Sequence, residues 1–158
     1  MAATGFNPEW DAEADRPPYR WRRRRIGRQA GGERLGALLF EVPPGASTFP
    51  LHAHHANEEL IVVVAGRLVL RALDGERELV EGDVAACPAG RRGAHRLDNR
   101  GDAPARVLIV STMRAPDVNE FPDSGLLWAR TYVPGAEPPA DAAELAGEPG
   151  GVDPLSLP

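Results

Sequence analysis

Lysine is absent from this 158-residue chain; all eighteen basic residues are arginine. Schiff-base chemistry and a phosphate-loop lysine are therefore both excluded. Cysteine is almost absent too. Cys87 stands alone, so no disulfide forms within the chain and a secreted scaffold held by bridges is ruled out; a cytoplasmic location fits best. Long apolar runs are missing. The longest, residues 60–65, falls far short of the roughly 20 residues a membrane helix needs, and the opening residues carry no apolar signal-peptide core. Neither export nor a membrane is expected. An excess of charge is also missing from most of the chain. The formal net charge of -5 resides in Glu137, Asp141, Glu144, Glu148 and Asp153, in a final segment without arginine. The neutral remainder argues against a nucleic-acid partner, whose phosphates call for a clustered basic face.

What is present reads as one domain with tails. Residues 1–18 form an acidic leader ending in Pro17-Pro18, which favours extended chain lying over the domain. Residues 19–133 form the domain. It opens on YRWRRRRIGR, an extended segment whose arginines suit a solvated edge strand or a dimer contact better than a phosphate site. From residue 35 to 112, short runs of Leu, Val, Ile and Phe alternate with Gly, Pro and Asp punctuation, the pattern of an all-β sandwich or barrel. Asp74-Gly75 marks a hairpin joining residues 67–73 to 76–80. Residues 106–112 read as a buried strand and 126–133 as a weaker last one. No amphipathic helix is expected before residue 134. Residues 134–158, rich in Pro, Gly, Ala and acid, are expected to be disordered, with at most one turn at 140–146.

Chemistry concentrates in the histidines. Of only four, His52, His54 and His55 fall in PLHAHHANEELIVVVAG, and His95 follows a Gly/Pro-rich turn. In a strand His52 and His54 project to one side, and Glu59 can reach that side from the next strand. Closing the sheet brings His95 across the interior. Three imidazoles and a carboxylate suit one divalent Fe, Mn, Ni, Cu or Zn ion, with two positions open if the site is octahedral. An HxH pair alone is a weak signal, since histidines near turns are usually solvated. The surrounding pattern is what raises it.

That pattern resembles the cupin superfamily. Gly45, His52, His54, Glu59 and Gly66 match its first motif with one extra residue before His52; Gly82, Pro88, Gly90, His95 and Asn99 match the second with two extra residues before His95. The likeness spans about residues 34–114 and is similar to stand-alone bacterial cupins of unassigned activity. It implies a single jelly-roll barrel, or double-stranded β-helix, with His52, His54, Glu59 and His95 as metal ligands. The longer turn before His95 is the main departure, and Gly93 can absorb it.

The neighbouring residues are read more plainly. His55 points away from His54, to an exposed or interface position, and Glu58 away from Glu59, to solvent or an ion pair. Cys87 reads as a buried structural thiol without a catalytic role. Inward Ile61, Val63 and Leu97 make an apolar cavity suited to a small-molecule ligand or substrate. Phe121 and Trp128 suit a barrel end or a subunit interface, and the resemblance implies a homodimer. The favoured function is a metal-dependent enzyme, dioxygenase-like ahead of isomerase or decarboxylase. The alternative is a non-catalytic binding or sensor cupin. No catalytic residue beyond the ligands is assigned.

Overall fold

The structure, a computed structural model, describes residues 9–133 and 138–147. The first eight residues of the expected leader, and residues 134–137 and 148–158 of the expected tail, lie outside them. Strands β1 (Ala12–Arg16) and β2 (Tyr19–Arg24) make an antiparallel hairpin, and a single helical turn, α1 (Ile26–Gln29), leads to β3 (Gly36–Val42). The two-residue β4 (Ala53–His54) precedes β5 (Glu59–Ala65). Next come the hairpin of β6 (Arg67–Ala72) and β7 (Gly75–Val80), then β8 (Val84–Cys87) and β9 (Arg96–Asp98). β10 (Ala105–Ser111), the hairpin of β11 (Asp117–Phe121) and β12 (Leu126–Arg130), and β13 (Glu144–Gly147) complete the fold.

These strands form three hydrogen-bonded groups, ordered β1-β2-β3-β10-β5-β8, β7-β6-β9 and β13-β12-β11-β4. The last two are joined by an isolated bridge between His52 and His95. Period-two alternation decides which side chains face inward. On β10, Ala105, Val107, Ile109 and Ser111 are buried while the residues between them are half-exposed. Phe40, Ile61, Val63 and Val107 from the six-stranded sheet meet Leu68, Leu70, Leu79 and Leu97 from the three-stranded one in a single core. The expected all-β jelly-roll is therefore present.

The structure departs from the sequence reading at the chain's two ends. The arginine segment is not an edge: β2 lies between β1 and β3, and its extended course ends at Arg24, before the α1 turn. Its cations are engaged, Arg22 with Glu41 and stacked on Trp10, and Arg23 stacked on Trp21. Arg106 holds the second Glu41 oxygen at 2.9 Å. Glu41 sits below the usual carboxylate range because these two arginines outweigh the burial that opposes ionisation. The expectation of an unstructured tail does not extend to Glu144–Gly147, which pairs with β12 while Glu144 accepts a hydrogen bond from Trp128 Nε1 at 3.1 Å. Composition misses this because the order comes from a long-range ladder. β11, another strand the sequence did not reveal, pairs with both β12 and β4.

Asn99 shows what the second motif's asparagine does. It is 1 % exposed, donates to the carbonyls of Val42 (2.8 Å) and Ala103 (2.9 Å), and accepts from Gly101 N–H (2.9 Å). One amide side chain thus ties the end of β3 to the turn after β9. Replacement by alanine strands buried backbone groups, so Asn99→Ala should lower unfolding free energy by about 1–3 kcal/mol. Urea denaturation measures this, and an unchanged midpoint would contradict the structural role.

Candidate functional site

At one end of the barrel His52, His54, Glu59 and His95 converge, each at most 8 % exposed. His54 lies on β4 and Glu59 opens β5. His52 and His95 are held opposite one another by reciprocal backbone hydrogen bonds of 3.2 and 2.9 Å. Single ligand atoms of His52, His54 and Glu59 all lie within 4.8 Å of one another. His95 Nε2 is 3.0 Å from Glu59 Oε2, and its ring centre is 4.7 Å from that of His52. All four residues singled out in the sequence therefore meet, although His95 touches the cluster chiefly through Glu59.

The lengthened turn before His95 is taken up by one turn of 3-10 helix, Arg91–Gly93. A Cβ on Gly93 would lie 1.8 Å from the Pro88 carbonyl oxygen, so only glycine lets the chain fold back this tightly. The Gly93 carbonyl then accepts a hydrogen bond from His95 Nδ1 at 2.9 Å. The extra residues orient the ring instead of misdirecting it.

The same device recurs at the other two rings. His52 Nδ1 donates to the Pro50 carbonyl at 2.9 Å, and His54 Nδ1 to Asp117 Oδ2 at 2.6 Å. A carbonyl or carboxylate oxygen can only accept, so all three Nδ1 atoms carry protons. Each Nε2 is the atom left to face the cluster. Behind His54 the chain of contacts continues. Asn119 packs its amide against the ring, Arg130 donates to Asn119 Oδ1 at 2.5 Å, and Arg130 lies 4.2 Å over Trp128. Behind His52 a run of rings, Phe49, Phe40 and Trp21, meets mostly edge to face.

Burial and neighbouring charge set the protonation states. Burial, aided by the His95 and His54 charges, pushes His52 down to about 3. Burial works against ionisation of Glu59 and His95 as well, but each stabilises the other's charge. Glu59 is held below the usual carboxylate range by the His95 hydrogen bond, and His95 is raised by its hydrogen bonds to Cys87 and Glu59. Without a metal the pair is thus a buried imidazolium–carboxylate.

Sequence reasoning placed His55 and Glu58 outside the cluster, and both are exposed, with His55 3.0 Å from Glu120. It missed Asp117, Asn119 and Arg130. The only signal was the alternation of Asp117 and Asn119, which puts both on one face of a strand that the sequence reading had not recognised. Cys87 is buried as expected, and it borders His95.

Comparison with known proteins bears on this arrangement. Residues 38–111 match a family model described as cupin domain. A crystal structure described as a sugar phosphate isomerase from a cupin superfamily, from Silicibacter pomeroyi, is 30 % identical. It covers 85 % of this chain and 83 % of its own, with a TM-score of 0.70. Tetracenomycin polyketide synthase protein TcmJ of Streptomyces glaucescens is 36 % identical over 49 % of this chain and 50 % of its own length. Quercetin 2,3-dioxygenase of Bacillus subtilis is 34 % identical over 63 % of this chain and 27 % of its own. The chain thus spans half or less of these two curated relatives. No helix among the described residues is long and apolar enough to cross a membrane.

The electrostatics predict an observable asymmetry in metal-free protein. At pH 7, ring-nitrogen chemical shifts should show His52 neutral and His95 doubly protonated. His95, raised, contributes stability that is complete below the unfolded value of about 6.5 and is lost as pH climbs through its folded value. His52, lowered, works oppositely and costs stability as pH falls below about 6.5. A neutral His95 at pH 7 would show that the buried ion pair does not form.

Proposed function

The chain belongs to the cupin superfamily, and on that premise we propose that it is a metal-dependent enzyme acting on a small organic substrate. One divalent ion, drawn from Fe, Mn, Ni, Cu or Zn, is held by His52, His54, Glu59 and His95. The observation that carries this is the convergence of three imidazoles whose Nδ1 protons are all committed elsewhere, beside a carboxylate kept ionised despite burial. The donor set fits such an ion: borderline nitrogen and one hard oxygen. A metal there supplies a Lewis acid or, when redox-active, a place for dioxygen chemistry.

The residues themselves bind, orient and exclude water. Asp117 and the Pro50 and Gly93 carbonyls fix the ring tautomers, and the aromatic run behind His52 and the buried faces of Ile61 and Leu97 keep the rear of the site dry. Acid–base catalysis by the protein has little to draw on. Asp117 is committed to His54, and Glu59 to His95. That favours a dioxygenase-like reaction over one that needs a free protein base. Quercetin 2,3-dioxygenase among the relatives points the same way. A second reading, isomerisation of a phosphorylated sugar, is favoured by a relative that spans most of both chains and is described as a sugar phosphate isomerase.

Mass spectrometry of untagged protein tests the metal. About one ion per chain is expected, lost in His52→Ala and His95→Ala with the β signature in circular dichroism retained. No metal after reconstitution would overturn the reading. Oxygen uptake on polyphenols and small organic acids, set against isomerisation of sugar phosphates followed by NMR, separates the two reactions. Metal without turnover in either assay would favour a binding cupin. Asp117→Asn should weaken metal binding by roughly 10–100-fold in chelator competition, since the carboxylate orients His54 from behind. Unchanged affinity would show that the Asp117 charge is not needed to orient His54.

A further inference from the structure

β7 and β8 are terminal strands of their respective sheets, and between them lies a cleft of about 430 Å3. It is bordered by Leu70 and Arg77 on the β6–β7 hairpin, Cys87 on β8, Arg92 in the turn before β9, and His95 itself. The cleft therefore reaches one member of the His/Glu cluster from outside the barrel.

Two cations lie on its walls. Arg77 stands opposite Leu70 in the β6–β7 register and has the parity of buried Leu79, but it lies toward the hairpin tip, where it is exposed at the mouth of the cleft. Arg92 is on the 3-10 turn that orients His95. Among the described residues neither guanidinium has a hydrogen-bond or ion-pair partner, whereas Arg71, Arg91, Arg96, Arg100 and Arg130 are all paired. Two carboxylates also border the cleft. Glu76 is already clasped by both Arg100 nitrogens at 2.7 and 2.8 Å, which leaves Asp74 at the hairpin tip as the single uncommitted acid against two uncommitted guanidinium groups.

We propose that this cleft binds the anionic group of a small substrate, a phosphate or a carboxylate, between Arg77 and Arg92. The guanidinium fork matches either oxyanion. This deepens the metal-enzyme reading and rests on it only for where the substrate's other end goes, which is toward His95.

Isothermal titration of the full chain with inorganic phosphate and, separately, with malonate distinguishes the two sources. Tighter phosphate binding assigns a phosphorylated substrate, tighter malonate binding a carboxylate. Arg77→Ala combined with Arg92→Ala should weaken the better probe by roughly tenfold or more, while metal content and melting temperature stay unchanged. Arg34→Ala, an exposed arginine outside the cleft, should leave affinity intact. His52→Ala should retain anion binding while losing metal, so failure of the metal site and failure of the cleft give different results. Absence of binding by both probes, or binding that the double substitution leaves unchanged, would overturn the proposal.

Discussion

The reciprocal backbone hydrogen bonds between His52 and His95 are the constraint on which the rest of the site depends. The two histidines come from parts of the chain 43 positions apart, and everything between them is barrel wall. Pairing their backbones stitches the small β4 sheet to the β7-β6-β9 sheet at one point. Their rings then stand on neighbouring strands and meet without either side chain having to stretch. Because the link is made by main-chain groups, it survives changes of the rings themselves. Closure of the barrel at this point is therefore independent of whatever the rings hold.

Around that stitch, the protein spends its polar contacts on orientation. Each ring has one nitrogen tied to a fixed acceptor, and the acceptors come from three different places: the chain just before β4, the turn before β9, and β11. The last matters most, because β11 reaches His54 through a charged oxygen and is itself anchored by Arg130 through Asn119. The C-terminal hairpin is thus part of the site although it adds no atom to the inner cluster. Trp128 beneath Arg130 and Glu144 on β13 extend this support to the tail.

Most of the inner cluster was legible because its information is local. The His52–His54 spacing, the single turn to Glu59 and the glycine at 93 each act within a few residues, and strand parity turns spacing into direction. The barrel was legible from period-two alternation and turn chemistry. What escaped was non-local. Asp117 meets His54 across 63 positions, a pairing that leaves no periodic trace. The arginine segment was misplaced because an edge and an interior strand differ only in what lies beside them, and β1 lies there. The β13 pairing escaped for the same reason: a strand so poor in apolar side chains owes its order to its neighbour.

The apolar cavity expected from the inward run of Ile61, Val63 and Leu97 is not open, because all three side chains are packed into the core. Those residues, each at most 1 % exposed, form a dry interior that offers a substrate no polar partner. The cleft beside His95 is a different surface, with apolar Leu70, Ala72, Ala86 and Ala94 interleaved with Asp74, Glu76, Arg77 and Arg92. A wholly apolar ligand would displace water from those charges without replacing its hydrogen bonds, which is unfavourable. A ligand with one charged end and one reactive, less polar end meets no such penalty. If the cleft admits the substrate as proposed, the division between a charged rim and a dry interior would favour amphiphilic small molecules, whichever reaction the centre performs.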